Sequence, residues 1–476
     1  ALAKSQAKNN IIAEPSLPRD QLLLPSALQN HEAGHFSAAL EDLLARTLLA
    51  PESLQPKRQA LAYALANGLF AIVAPHLGNW LHAAPALVSD PAFAQALAWL
   101  QPPFGACTWG ENNIVTGWAV GARGSVLQVE IDGLVLEAPL ERPTPALEAR
   151  GLGNGRNGFH LQLPAFQHAA RLGIEGVSLW GGVRAVDTPR SAPPPIACPA
   201  RPAAVIVLVP VYRGLEETLA CLAAVRRSTN RARWQLVVVN DCSPDARLAA
   251  LLAQHSAAGE FTLISRTINA GFVGAVNPFL NAPEDNDVVL LNADTLVHGD
   301  WLDRLQDVAY SQPHVATVTP LSNNAELFSH PLPQNSNSMP GRDALALLDR
   351  ALSDIAAPPV EVPTGIGFCQ YFRRDALKAL GGLNEAFLLR GYGEETEFCL
   401  RAHAAGWVNL GAPNVFVAHH GEVSFGQSKR WLAAHNMRRL IDRYPDYPQR
   451  YGEFLGTDPL GATRRSLQRR ALGQLV

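Results

Sequence analysis

The chain has no Cys-x-x-Cys pair. Its six cysteines, Cys107, Cys198, Cys221, Cys242, Cys369 and Cys399, are scattered over 476 residues. That scatter argues against a disulfide framework or a zinc ribbon and fits reduced thiols in a cytoplasmic protein. An excess of either charge is lacking too: 39 Lys and Arg stand against 42 Asp and Glu, and a net charge of -3 leaves no electrostatic footprint for nucleic acid. No apolar run is long enough to span a bilayer. The nearest, Ala60 to Pro75, is interrupted by Asn67 and Gly68 and falls short of the roughly 20 residues required, so a buried helix is expected there. The opening Ala-Leu-Ala-Lys-Ser-Gln shows no charged segment followed by an apolar core, so no signal peptide is expected. These absences leave a soluble cytoplasmic protein, with peripheral association at the inner face of the membrane still open.

What is present is ordinary globular composition, 47% hydrophobic and 17% charged, on a chain too long for one core. Residues 1–103 are rich in Ala and Leu at helical spacing, and Gly34, Phe36, Ala39, Leu43 and Pro51 fall where a tetratricopeptide-like helical pair places its small, aromatic and terminal residues. Such a module could hold a protein partner. Residues 104–187 switch to short alternating runs, Ser125 to Ile131 and Phe159 to Leu163, broken by Asp132-Gly133, which predicts a small antiparallel β-domain. A proline-rich linker spans 188–202. An α/β domain is expected over 203–452, and a basic segment over 453–476 as a surface helix or a link.

Two short patterns mislead. His31-Glu-Ala-Gly-His35 spells the zinc-protease motif, but the extended pattern fails at Ala38 and Glu41 and a third ligand is lacking. Gly153-Asn-Gly-Arg-Asn-Gly158 spells a dinucleotide fingerprint, yet a strand-like run follows it where a helix is required; a glycine-rich turn is expected instead. A third pattern, Gln427-Ser-Lys-Arg-Trp431, matches the Gln-x-x-Arg-Trp motif of membrane polysaccharide synthases and reads either as an ordinary helix start or as acceptor lining.

The α/β domain carries the chemistry. Four apolar runs, Val205 to Val209, Leu236 to Val239, Phe261 to Ile264 and Asp287 to Leu291, each end in polar residues: Pro210 and Tyr212, Asn240 and Asp241, Ser265 and Arg266, Asn292 to Asp294. Helical stretches alternate with them, which argues a parallel sheet. Ligands sit outside the carboxyl ends of such strands, so the four edges point to one site.

From Ala203 to about Tyr451 the sequence resembles the family 2 glycosyltransferases, of the GT-A fold. The resemblance rests on Val205 to Tyr212, Val237 to Asp245, Asn269 to Asn277, Leu290 to Thr295, Gly391 to Arg401 and His419 to Phe425. It implies a nucleotide-diphosphate-sugar site formed by Pro210, Tyr212, Asp241, Asn269, Gly271, Asn292, Ala293 and Asp294. It also implies a divalent cation, Mn2+ or Mg2+, on Asp294 and His419. One metal-motif carboxylate is replaced by Asn292. Glu395 corresponds to the catalytic base and Glu394 to its neighbour; the choice between them stays open at this point, and Glu397 reads as an i,i+4 partner of Arg401. Gly365, Gly367 and Tyr392 fall where an acceptor would approach, and Ser322 to Arg342 reads as a lid.

A single base on one face of the sugar predicts inversion. Similar transferases build bacterial surface polysaccharides, several by moving rhamnose from a dTDP donor; a UDP-sugar is the other candidate. The acceptor expected is a glycan, a lipid-linked glycan or a protein. Two alternatives stand beside this reading: a protein O-glycosyltransferase, suggested by the helical module, and a catalytically degenerate glycan-binding scaffold, suggested by Asn292. The middle domain, through Thr116 to Ala119 and Gly158 to Pro164, looks like small β-sandwiches found beside such catalytic domains.

Overall fold

The computed structural model describes residues 24–473 apart from 50–52, 70–72, 74–75, 78–79, 82–86, 88–89, 98–99, 101, 123, 149–150, 167–168, 186–191, 268, 356, 386, 389–391 and 422–428. Pro51, Gly391 and Gln427 therefore lie outside the described residues. The chain divides into two compact units: Ala1–Val186 with Thr267–Asn269 and Phe425–His435, and Asp187–Arg266 with Ala270–Ser424 and Asn436–Val476.

In the first unit, helices α1 (Leu24–Glu32), α2 (Phe36–Leu49), α3 (Leu54–Ala66) and α4 (Pro91–Leu97) precede strands β1 (Phe104–Trp109), β2 (Ile114–Val120), β3 (Leu127–Ile131), β4 (Leu134–Ala138), β5 (Gly158–Gln162), β6 (Ala169–Ile174) and β7 (Val177–Ala185). The strand order is β4-β3-β6-β7-β1-β2-β5. Two antiparallel halves meet where Ala106 of β1 faces Trp180 of β7 in a parallel pair. A hairpin forms at Asp132-Gly133, both residues adopting positive φ, as a tight β-turn requires. Alternation splits the strands between two cores: Phe104, Ala106, Trp118 and Val120 pack with the helices' Leu40, Leu43 and Leu61, whereas Cys107, Val115 and Ala119 pack with Leu127, Val129 and Leu172.

Both misleading motifs resolve as expected. Helix α1 ends at Glu32, Gly34 turns the chain at φ +79°, and His31 Nδ1 lies 2.9 Å from the Tyr63 hydroxyl, so the two histidines do not share a helical face. Gly153 and Gly155 take positive φ in a turn that leads into β5. A Cβ at Gly153 would lie 2.3 Å from the Asn157 amide. The apolar stretch from Ala60 breaks at Ala66, the end of α3. Among the described residues no helix is long and apolar enough to cross a membrane.

The second unit contains β8 (Val205–Val211), α5 (Leu215–Arg227), β9 (Trp234–Asn240), α6 (Ala246–Ala257), β10 (Thr262–Ser265), α7 (Gly271–Leu280), β11 (Asp287–Leu291), β12 (Thr295–Leu296), α8 (Trp301–Ala309), β13 (Val315–Leu321), α9 (Arg342–Ser353), β14 (Val360–Glu361), β15 (Cys369–Phe372), α10 (Arg374–Leu380), α11 (Glu394–Ala404), β16 (Val408–Phe416) and β17 (Ala418–His419). Helix α12 (Lys429–Arg443) straddles the two groupings, and α13 (Tyr447–Thr457) and α14 (Gly461–Gly473) close the chain.

The main sheet runs β10-β9-β8-β11-β15-β13-β16-β14. Its first four strands are parallel, as their alternation with helices predicts. Strand β15 then pairs antiparallel with β11 and β13. Val205, Val207 and Val209 face a core shared with α5, α6, α8 and α9, while Ile206 and Leu208 face α7, α10 and α11. Burial on both faces is why the run is continuously apolar.

Asp287 anchors the opposite end of β11, accepting from the hydroxyls of Tyr310 at 2.9 Å and Tyr371 at 2.6 Å and from the Arg374 N–H at 2.7 Å. The boundary expected at 452 falls inside α13. The basic C-terminal helix is built into the core: Leu467, and Leu460 just before the helix, are fully buried, and Arg464 Nε donates to the Ser329 carbonyl at 2.8 Å.

Candidate active site

Because β8, β9, β10 and β11 are parallel, the polar residues that follow them emerge at one edge of the sheet. Just beyond β11 the chain turns so that β12 pairs antiparallel with β17, setting Thr295 opposite His419 and Leu296 opposite Ala418. This small ladder brings together the two residues expected to share a cation: His419 Nε2 lies 3.6 Å from Asp294 Oδ1. Asp294 Oδ2 accepts from the Gly421 N–H at 3.0 Å, and its carbonyl from the His420 N–H at 3.0 Å.

The histidine's tautomer follows from its other contact. Its Nδ1 lies 2.7 Å from the Asn324 carbonyl, which can only accept, so Nδ1 carries the proton. Nε2 is then the ring nitrogen that faces the carboxylate oxygen of Asp294. Two electron-pair donors facing each other are stable only with positive charge between or upon them, and an imidazole nitrogen with a carboxylate oxygen suits Mn2+. The residues fit a divalent cation that draws its remaining ligands from a substrate; among the described residues no group of three or more His, Cys, Asp or Glu gathers to hold one.

Part of the loop from Ser322 to Arg342 holds this histidine. Asn323 Oδ1 accepts from the His419 N–H at 2.8 Å, and its Nδ2 donates to the His419 carbonyl at 2.9 Å and to the Asn337 carbonyl at 3.1 Å. Asn324 Nδ2 donates to the His420 carbonyl at 3.2 Å. Phe368 stacks on the His419 ring, with centroids 5.2 Å apart and planes at 27°. The individual roles of Asn323, Asn324 and Phe368 are not legible in the sequence, where the nearest signal is an Asn-Asn pair one residue after the apolar strand β13.

Glu395 connects to the same constellation through Gly367 and Phe368. The Gly367 backbone lies against it, since a Cβ there would be 3.1 Å from the Glu395 carboxyl. Burial of that carboxyl, with the charge of Glu394 beside it, pushes Glu395 up to about 7 against a hydrogen bond from the Gly367 backbone. Glu395 keeps part of its surface open, whereas Glu394 is 4% exposed. A carboxyl held near neutrality is suited to take a proton from a hydroxyl. Glu397 differs. It is fully buried, 3.0 Å from Arg401 Nη2, and accepts from the Tyr444 hydroxyl at 3.1 Å, a structural ion pair at i,i+4 as expected.

The remaining candidates divide. Pro210 lies near the end of β8 and Tyr212 directly follows it at the site edge, with the Arg213 guanidinium 5.4 Å from the Tyr212 ring centroid. Asn292 and Ala293 stay partly exposed, and the Asn292 N–H donates to the Phe368 carbonyl at 2.8 Å. Asp241 is 4% exposed and accepts from the Ala270 and Gly271 N–H groups, both at 2.7 Å, with Arg266 Nε 3.6 Å away. The start of α7, expected to offer free N–H groups to phosphate, gives those two to Asp241. Asn269 groups with the first unit, its N–H donating to the Gly176 carbonyl at 3.1 Å. Gly365 is buried, and a Cβ there would be 2.3 Å from Gln370 Nε2, so close packing by itself favours glycine at this position. Tyr392 is partly exposed, its carbonyl accepting from Asn436 Nδ2 at 2.7 Å.

Residues 206–381 match the family model described as Glycosyl transferase family 2. The succinoglycan biosynthesis protein ExoM of Rhizobium meliloti (strain 1021) is 27% identical over 226 residues, which span 47% of this chain and 68% of that protein. The N-acetylglucosaminyl-diphospho-decaprenol L-rhamnosyltransferase of Mycobacterium tuberculosis is 27% identical over 245 residues, 46% of this chain and 77% of that protein. Among solved structures, the mannosyltransferase PcManGT from Pyrobaculum calidifontis, in complex with GDP-Man and Mn2+, is similar over 60% of this chain and 79% of its own, at 20% identity and a TM-score of 0.36, a likeness too slight to argue from. Glu395 and His419 lie beyond the stretch the family model matches, so their assignment rests on the geometry above.

Proposed function

Taking residues 206–381 as the glycosyl transferase family 2 domain that their match identifies, we propose that this chain moves a sugar, with inversion, from a nucleotide-diphosphate donor to a hydroxyl acceptor in glycan or cell-surface polysaccharide synthesis. One observation carries the reading: Asp294 Oδ1 and His419 Nε2 face each other at 3.6 Å at the carboxyl edge of the parallel strands, one stacked ring and one residue away from Glu395.

Mn2+ or Mg2+ bound by Asp294 and His419 would supply positive charge to the diphosphate oxygens as they leave. The chain's own groups do the rest. Glu395, ionised, accepts the acceptor hydroxyl's proton while that oxygen forms its bond to the anomeric carbon and the bond to the diphosphate breaks on the opposite face. Burial of its carboxyl, with the charge of Glu394 beside it, raises its affinity for that proton. The pairing of Asp294 with His419 favours an active site over a degenerate scaffold, despite Asn292. The name of the mycobacterial relative favours rhamnose among donor sugars, hence dTDP-rhamnose before a UDP-sugar, and a lipid-linked glycan among acceptors. The helical module and β-domain would act as accessory parts, in a cytoplasmic protein with peripheral membrane contact.

The test is incubation with UDP-, dTDP- and GDP-sugars in Mn2+, reading nucleotide release chromatographically and product configuration by NMR. Release with at least one donor, dependent on the cation and giving inverted product, is expected; absence of release with every donor would overturn the reading.

A further inference from the structure

Beyond the cation pair and the base, one cluster in the second unit is left without a role. Glu326 lies on a short 3-10 turn, Glu326–Phe328, within the loop that supports His419, and its side chain is exposed. Its carboxylate Oε2 is 3.5 Å from the Tyr451 hydroxyl, which is in turn 3.4 Å from Gln334 Nε2. Tyr451 belongs to α13 and packs edge to face with Tyr447, ring centroids 5.8 Å apart. The same cluster reaches the helix of the base, since Tyr447 and Tyr451 pack against Leu400 of α11, the helix that begins with Glu394 and Glu395.

We propose that Glu326, Tyr451 and Gln334 form the acceptor subsite and that the acceptor it takes is a saccharide. The proposal rests on the glycosyl-transfer reading above. The set supplies an anionic acceptor, a phenol that both donates and accepts, and an amide donor, the mixture that neighbouring sugar hydroxyls need. Contacts of 3.4 to 3.5 Å are at the long limit of hydrogen bonding, leaving these groups able to rearrange around a ligand. The partly exposed Tyr451 ring adds an apolar face beside the polar groups. A peptide acceptor would be held chiefly through its backbone and has less use for a carboxylate, a phenol and an amide gathered at one point.

The experiment uses the full chain, Mn2+, an active nucleotide-sugar donor and a panel of alkyl glucosides, galactosides, rhamnosides and N-acetylglucosaminides, beside a Ser/Thr-rich peptide. Transfer to at least one glycoside is expected, with Glu326→Gln and Tyr451→Phe raising the KM for that glycoside roughly tenfold or more while donor KM stays unchanged and donor hydrolysis persists. An unaltered glycoside KM in both variants, or transfer to the peptide alone, overturns the proposal, as does the absence of transfer to any glycoside. Donor hydrolysis keeps the two readings apart: its persistence in those cases leaves the proposed function standing, and its absence in the wild type removes that function itself.

Discussion

Replacing Glu395 by Gln should make the protein inactive and more stable at once. Its carboxyl is pushed from 4.5 to about 7 by burial and by Glu394. The folded protein thus holds a proton that the unfolded chain releases, and the sign is opposite to that of a salt-bridged carboxylate. Stability from this group is complete at low pH and is lost as pH climbs from 4.5 through about 7. At pH 8 ionising Glu395 costs the fold on the order of 3 kcal/mol, and at pH 5 less than about 1 kcal/mol. Gln carries no charge and keeps an oxygen for the Gly367 N–H. Glu395→Gln should therefore raise the Tm at pH 8 by roughly 6 °C and change it little at pH 5, while turnover vanishes and donor binding persists. Thermal melts at both pH values, beside a transfer assay, check this. A variant no more stable than the wild type at pH 8, or one that stays fully active, would refute the reasoning; activity lost with Glu394→Gln alone would make Glu394 the base.

The other predictions concern the groups that hold the site. Glu397→Ala strands Arg401 in the core and should cost about 3 kcal/mol in a urea unfolding titration. Asp241→Ala removes the acceptor for two N–H groups at the start of α7 and should cost about 2 kcal/mol; an unchanged unfolding midpoint would show that Asp241 serves the ligand alone. Asn323→Ala frees the backbone on both sides of His419 and should weaken Mn2+ affinity roughly tenfold or more, measured by paramagnetic resonance of free Mn2+, with the fold intact.

Much of the catalytic sheet is legible from local pattern. Val205 to Val209 and Asp287 to Leu291 are apolar on both faces, so a two-sided parallel strand is the simplest way to bury them. Glu397 with Arg401 is equally local, a pair one helical turn apart. The support of His419 is not local, since Asn323 meets it across 96 positions of chain through pairing that only the folded β12 and β17 create. The same holds for Glu326 and Tyr451, and for Asp241, whose contact with α7 depends on where β9 ends beside it. The C-terminal helix misleads because its arginines dominate its composition, while Leu460 and Leu467, one heptad apart, are what the core takes up.

The central claim is that Asp294 and His419 together hold the cation that carries the donor's diphosphate. Calorimetric titration of the full chain with UDP and with dTDP, in Mn2+ and in EDTA, tests it most directly. Binding of at least one nucleotide that requires Mn2+ in the wild type and is lost in both Asp294→Ala and His419→Ala is the predicted result. Equal affinity in EDTA, or unchanged Mn2+-dependent binding in either variant, would contradict it.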